Sequence, residues 1–277
     1  MRAPEPFSEA WVAALLALVF EAGEAILAVA EGGVLAVEEK ADASPVTAAD
    51  HAAQAILAAG LAQLTPSWPL RSEELAPPPP AERAQWHRFW MIDPLDGTKE
   101  FLAGNGEYTV NVALIEGGRP VLGLVGVPAR GTVYFGAVAE GRAFKADRTG
   151  RRVPLRVRPC PAAPVVVASR RHRGEALETL LDALTAVAPA LETRAVGSAL
   201  KLLVLAEGEA DAYPRRGPCS EWDIAAGEAV LLAAGGHLQT FSGQPLAYNK
   251  LTTDLNPDFW AVGDGAGPLA AVLRRQS

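Results

Sequence analysis

Cysteine is nearly missing from this 277-residue chain. Cys160 and Cys219 are too few and too far apart for a disulfide framework or a zinc site. A reducing, cytoplasmic setting is the expectation that follows. With four histidines in all, no Cys or His is placed as a nucleophile. Positive charge is short as well: 25 Lys and Arg face 32 Asp and Glu, and a net charge of −7 leaves no footprint for a nucleic acid polymer. The opening residues carry one Arg and two Pro and have no signal-peptide layout. Trp11 to Ala30 is apolar, but Glu21 and Glu24 interrupt it, so a buried helix is expected there and no membrane span. What remains is a globular composition, 49% hydrophobic and 21% charged. The length suits one large domain or two closely packed halves.

The densest chemistry lies in Trp90-Met91-Ile92-Asp93-Pro94-Leu95-Asp96-Gly97-Thr98-Lys99-Glu100-Phe101. The run from Trp86 to Ile92 predicts a buried strand, cut off at Asp93-Pro94 because Pro94 cannot donate to a continuing ladder. Asp93 and Asp96 then stand three residues apart, and two close carboxylates repel unless a cation lies between them. Gly97 lets the backbone approach a ligand, and Thr98 is placed to cap a short helix whose N–H groups would face an anion. Hard acidic ligands beside an anion-binding backbone suggest Mg²⁺ and phosphate. An Asp-rich turn with an ordinary cap would look the same over these twelve residues.

Around this stretch, helices are expected over Pro6–Glu31 and His51–Leu64. A strand meander follows through Tyr108–Ile115, Pro120–Val127, Gly131–Ala139 and Arg142–Lys145, its first hairpin turning at Glu116-Gly117-Gly118-Arg119. A composition shift near Pro159–Pro161 marks a boundary, giving halves 1–158 and 159–277 that form one catalytic unit. The second half alternates strand and helix, which suggests a sheet covered by helices. Five further spots carry two readings each. Thr47 with Asp50 is a capping box, or Asp50 orients a catalytic hydroxyl. Glu73 and Glu74 are a solvated pair, unless the strand ending at Asp93 brings them into its pocket. Ser198 is an N-cap with Lys201 one turn in, either a plain surface lysine or a cation reaching an anion. Asp223 starts a helix as a cap or as a third metal-binding carboxylate. The basic run Ser169-Arg170-Arg171-His172-Arg173 is a solvated loop or a second phosphate site. Pro77–Pro80 is an exposed stiff spacer.

Taken together, SPVTAAD at 44–50, SEE at 72–74, DPLDGT at 93–98 and WDIAAGEAVLLAAGG at 222–236 resemble the inositol monophosphatase superfamily. DPLDGTKEF at 93–101, GSALKLLVLAEGEADAYPR at 197–215 and GPCSEWDIAAG at 217–227 are most similar to its CysQ-type 3′(2′),5′-bisphosphate nucleotidase branch. Four separated motifs in the right order make this specific. The resemblance implies an α+β fold, a layered αβαβα sandwich of the inositol monophosphatase / fructose-1,6-bisphosphatase type. It implies a lithium-sensitive phosphatase with two or three Mg²⁺ per site. Their ligands would be Glu73, Asp93, the Leu95 carbonyl, Asp96 and Asp223, with Glu74 behind Glu73. Thr98 with Asp50 would orient the attacking water, and the N–H groups of Gly97 and Thr98 would cradle the scissile phosphate. Ser198, Lys201 and Arg215 would face the rest of a small phosphorylated substrate, an adenosine bisphosphate, in a monomer or homodimer. An inositol or sugar phosphatase of the same superfamily, and a catalytically silent phosphate binder, are the competing readings. The chain departs from the nucleotidase pattern at Arg171, where a serine is usual.

Overall fold

The computed structural model describes residues 4–32, 37–39, 45–169 and 174–276. Ser44 and the basic run Arg170–Arg173 lie outside the described residues. The chain runs α1 (Glu9–Glu31), β1 (Val37–Glu39), β2 (Pro45–Thr47), α2 (Ala48–Leu64), β3 (Leu70–Ser72), α3 (Pro80–Arg83), β4 (Arg88–Asp96) and α4 (Thr98–Leu102). The meander follows as β5 (Thr109–Glu116), β6 (Arg119–Val127), β7 (Thr132–Ala137), β8 (Arg142–Asp147) and β9 (Arg152–Pro154). Then come β10 (Val165–Ala168), α5 (Glu175–Val187), β11 (Glu192–Ala195), α6 (Leu200–Ala206), β12 (Ala212–Arg215), α7 (Glu221–Ala233), β13 (His237–Thr240), β14 (Phe259–Val262) and α8 (Pro268–Leu273).

Two sheets organise these elements. The seven-stranded sheet keeps the order β3-β4-β5-β6-β7-β8-β9, parallel only where β3 joins β4. The five-stranded sheet has the order β11-β10-β12-β14-β13, with β10 parallel to both neighbours and β14 antiparallel to its own. Alternation along each strand sorts side chains into three cores. On β4, Trp90 and Ile92 enter the core under α1 and α2, while Phe89 and Met91 enter the one shared with α6 and α7. On β14, Phe259 and Ala261 face that same middle core, and Trp260 and Val262 face α5 and α8. The layers therefore run helix, sheet, helix, sheet, helix, the α+β sandwich that the motifs implied.

By length and composition α1 could cross a membrane, yet nine of its residues, Trp11 and Ile26 among them, are buried against α2 and the large sheet. Its apolar surface is thus a core contact. On the opposite face, α7 approaches the sheet closely. A Cβ at Gly123 would run into the Ala226 backbone, and one at Gly136 would sit 2.5 Å from the Val230 Cα. These two glycines set the depth of α7 and so the height at which its first turn meets β4.

The hairpin at 116–119 forms as expected, with φ of 57° at Gly117 and 73° at Gly118, the left-handed pair that a two-residue turn requires. Pro94 does not end its strand, however. β4 continues to Asp96, which pairs with Thr109 after a register irregularity between Asp93 and Asp96. The bulge places Pro94 where no ladder hydrogen bond is lost.

Within α7, Glu228 is 2% exposed and accepts a hydrogen bond from the Tyr248 hydroxyl. Burial pushes its pKa from 4.5 to about 7. A folded-state pKa above the unfolded one gives stability that is full below about pH 4.5 and is lost as pH rises through about 7. Glu228→Gln keeps the shape and the Tyr248 contact without the charge. Its thermal midpoint should exceed wild type by several degrees at about pH 8 and by much less near pH 5. Melts at the two pH values decide this, and an equal shift at both would rule out the buried charge as the cause.

Candidate active site

Two helices that point into the cleft begin with the same device. Thr47 caps α2, and Asp50 three residues later accepts from the Thr47 N–H at 2.8 Å and its hydroxyl at 2.7 Å, both at Oδ2. Ser220 caps α7, and Asp223 Oδ2 accepts from the Ser220 N–H at 2.9 Å. Aspartate stands in each case where the longer Glu is usual in a capping box. The cap engages one carboxylate oxygen, fixes the rotamer and leaves the second oxygen for the cleft. The cap and a contact to Thr98 therefore coexist, because Asp50 Oδ1 accepts from the Thr98 hydroxyl at 3.4 Å.

The acidic cluster is assembled by strand pairing. Ser72 on β3 stands opposite Ile92 on β4, and the next N–H, of Glu73, donates to the Ile92 carbonyl at 3.3 Å. Parallel register thus sets Glu73 beside Asp93. Asp223 arrives from α7. Among the described residues, Glu73, Asp93 and Asp223 bring ligand oxygens within 4.8 Å of one another. Leu95 donates its N–H to Asp93 Oδ1 at 3.0 Å, and its carbonyl accepts from Thr98 Oγ1 at 3.3 Å. Glu74 donates its N–H to Ser72 Oγ at 3.2 Å, and Ser72 in turn bonds Gln54 of α2 at 2.5 Å, which fixes the glutamate pair.

Asp96 is not part of that trio. Its Oδ2 accepts the Ala199 N–H at 2.7 Å and the Thr109 hydroxyl at 3.4 Å, yet it still feels the other acids. Burial first, and the Glu73 charge with it, push Asp96 up to about 6, against the pull of Lys201 and the Ala199 N–H. Burial and then the charges of Asp96 and Glu73 push Asp223 up to about 8. Carboxylates forced together in this way are relieved by a cation between them. An oxygen-only donor set suits a hard divalent ion, so the residues fit such a group.

Thr98 is not the cap of α4. Gly97 holds that position at φ 89°, and no side chain caps the helix. The hydroxyl is turned to Asp50 and Leu95 instead. A Cβ at Gly97 would lie 3.2 Å from the Glu107 carbonyl and 3.3 Å from Ser198 Cβ, on a backbone that L-residues rarely adopt. Gly97→Ala should therefore cost about 1–3 kcal/mol in urea unfolding and lose most activity. A variant as stable and active as wild type would show that this turn tolerates a side chain.

The opposite wall comes from the second sheet. Asp96, Gly97, Lys99, Ser198, Lys201, Tyr213, Arg215 and Asp223 line one cleft. Ser198 has φ 38° and does not act as a cap, since α6 starts later with Ala199 at its N-cap and no side-chain cap bond. Lys201 is 7% exposed. Its Nζ donates to the carbonyls of Ser198 at 2.7 Å and Val196 at 3.3 Å and lies over the Tyr213 ring at 5.5 Å. Burial lowers its pKa to about 8, against the pull of Asp96. Arg215 donates to the carbonyls of Gly217 and Pro218. Sequence reasoning missed Arg71, which is 3% exposed, pairs with Asp254 at 2.6 Å and lies over Trp222 at 5.0 Å. It ties the strand before Glu73 to the residue before Asp223. It also missed Glu107, whose Oε2 accepts the Gly197 N–H at 2.8 Å, a contact across 90 residues with no local signal.

Residues 8–261 match the pattern of the inositol monophosphatase family. The chain is 46% identical over 243 residues to the 3′(2′),5′-bisphosphate nucleotidase CysQ of Escherichia coli (strain K12), covering 87% of this chain and 95% of the relative. It is 32% identical to the Haemophilus influenzae protein of the same name, over 82% and 84% of the two chains. Among solved structures, CysQ from Bacteroides thetaiotaomicron superimposes with a TM-score of 0.80 at 33% identity, covering 94% of this chain and 99% of that one. An inositol monophosphatase from Thermotoga maritima shares the fold at a TM-score of 0.73 and 23% identity, over 94% and 95%.

Proposed function

Because the chain belongs to the inositol monophosphatase family, we propose that it hydrolyses the 3′-phosphate of 3′-phosphoadenosine 5′-phosphate to give AMP and phosphate. The observation that carries this reading is the convergence of Glu73, Asp93 and Asp223 within 4.8 Å, beside a Thr98–Asp50 pair, in a chain so similar to a named nucleotidase. Two or three Mg²⁺ ions are the cofactor in this proposal, held by Glu73, Asp93, the Leu95 carbonyl, Asp96 and Asp223. When bound, they would supply the positive charge that acidifies a water and steadies the leaving alkoxide.

The protein's own groups do the rest. Thr98 has a single hydroxyl proton and two acceptors, Asp50 Oδ1 at 3.4 Å and Leu95 O at 3.3 Å. Donation to Asp50 leaves the Thr98 lone pairs to accept from the attacking water and align it in line with the scissile bond. As the new P–O bond forms and the P–O3′ bond breaks, the water's proton passes to Thr98 Oγ1 while the hydroxyl proton moves to Asp50 Oδ1, and the departing 3′ oxygen takes a proton from solvent to leave as the hydroxyl of AMP. Asp50 cannot swing away, because the Thr47 cap holds its other oxygen. The N–H groups of Gly97 and Thr98 receive the phosphate oxygens. Lys201 and Arg215, with Ser198, face the remainder of the substrate across the cleft, where their charges suit a second phosphate. Both halves, 1–158 and 159–277, act as one unit in this reading, and the enzyme works in the cytoplasm as a monomer or homodimer.

A phosphate-release panel in Mg²⁺ tests the substrate. The bisphosphonucleotide should turn over far faster than inositol 1-phosphate or fructose 1,6-bisphosphate, and the reverse order would transfer the assignment to another branch of the family. Lithium titration is a second check. Inhibition is expected, and indifference across a broad Li⁺ range would count against the metal arrangement.

A further inference from the structure

The turn between β11 and α6 is bracketed by two carboxylates. Glu107 Oε2 accepts the Gly197 N–H at 2.8 Å, and Asp96 Oδ2 accepts the Ala199 N–H at 2.7 Å. Between these amides sits Ser198 at φ 38°, a backbone state that costs energy for a residue other than glycine and persists only where its surroundings impose it. The carbonyls on this turn, of Val196 and Ser198, are the ones that receive Lys201 Nζ. Packing closes the arrangement. A Cβ at Gly197 would lie 2.9 Å from Glu107 Oε2 and one at Gly97 would lie 3.2 Å from the Glu107 carbonyl, so Glu107 fills the space between the two glycines.

We infer that Glu107 is a specificity-positioning residue: its carboxylate holds the Gly197–Ala199 turn in the strained form that fixes Lys201 at the cleft wall, ready for the substrate's second anionic group. Glu107 does not line the cleft itself and acts through the Gly197 amide. The Asp96 bond serves the same turn, but Asp96 is also a cation ligand in the proposed function. Glu107 is therefore the member whose removal separates substrate choice from the reaction. This inference rests on the proposed function, in which Lys201 faces the part of the substrate beyond the scissile phosphate.

The test compares adenosine 3′,5′-bisphosphate with 3′-AMP, which carries the scissile phosphate but no second one, on full-length Mg²⁺-loaded enzyme. Glu107→Asp keeps the charge but is one methylene too short to reach the Gly197 amide. It should raise KM for the bisphosphate about tenfold with kcat nearly unchanged, and leave both constants for 3′-AMP within about twofold. Glu107→Gln keeps the length and an acceptor oxygen and should restore most of the discrimination. Glu107→Ala should match Glu107→Asp, and if it does not fold, the Asp and Gln variants decide the matter alone. Equal losses on the two substrates, or an unchanged ratio in Glu107→Asp, would overturn the inference and leave Glu107 a packing residue. Failure of the wild-type enzyme to prefer the bisphosphate would instead remove the proposed function on which it rests.

Discussion

Asp93→Asn should lower kcat by at least about a thousandfold while making the metal-free protein more stable. The two effects share one cause. Asp93 is 1% exposed, stands beside Glu73, which directly follows the neighbouring parallel strand, and shares its pocket with Asp223. Without a cation three carboxylates this close repel one another, and burial, with the charges of Asp96 and Glu73, already pushes Asp223 up to about 8. Asn keeps the oxygen that receives the Leu95 N–H, so the turn should survive the change. Removing one charge relieves the repulsion, and the thermal midpoint in chelator should rise by a few degrees. The same substitution removes a ligand, so the stabilisation that wild type gains from added Mg²⁺ should largely vanish. Paired melts with chelator and with Mg²⁺, alongside phosphate release, measure all three quantities. A variant destabilised in chelator, or still active, would mean that Asp93 serves the fold and not a cation.

Thr98→Ala should lower kcat by about a hundredfold or more, the range expected for loss of a proton-transfer group, with Mg²⁺ affinity by calorimetry changed less than about threefold. The hydroxyl is bonded to Asp50 and to the Leu95 carbonyl and is not needed to cap α4, so little structure is lost with it. Thr98→Ser retains the hydroxyl and should recover turnover to within about tenfold of wild type. Unchanged turnover in Thr98→Ala would remove Thr98 from the mechanism, and a collapse of metal binding would make it part of the cation site instead.

Legibility of this site in the sequence followed the range of each contact. Thr47 with Asp50 is a three-residue relationship, visible as a string; Ser220 with Asp223 has the same spacing, yet there Asp223 read as the cap, whereas Ser220 holds that position and Asp223 lies three residues in. The meander and its Gly117-Gly118 turn were legible for the same reason, since local alternation and a left-handed pair fix them. The partnership of Glu73 with Asp93 was not. It depends on β3, three residues too short to show a period, lying parallel to β4. β1, β2 and β9 are equally short and equally silent. Pro94 misled because a proline stops a ladder only where its missing N–H is needed, and the bulge before Asp96 removes that need. Thr98 and Ser198 both read as caps, yet tertiary contacts turn one toward Asp50 and force the other to positive φ. Glu107 gave no sign at all, because its meaning lies in an amide 90 residues away.

Diffraction from crystals grown with Mn²⁺, AMP and phosphate, collected at the manganese absorption edge, bears most directly on the central claim that this acidic cluster holds the catalytic cations. Anomalous peaks are expected within about 2.0–2.4 Å of carboxylate oxygens from Glu73, Asp93 and Asp223, with phosphate on the Gly97–Thr98 side of the cleft. Phosphate bound there with no manganese at those three carboxylates would contradict it.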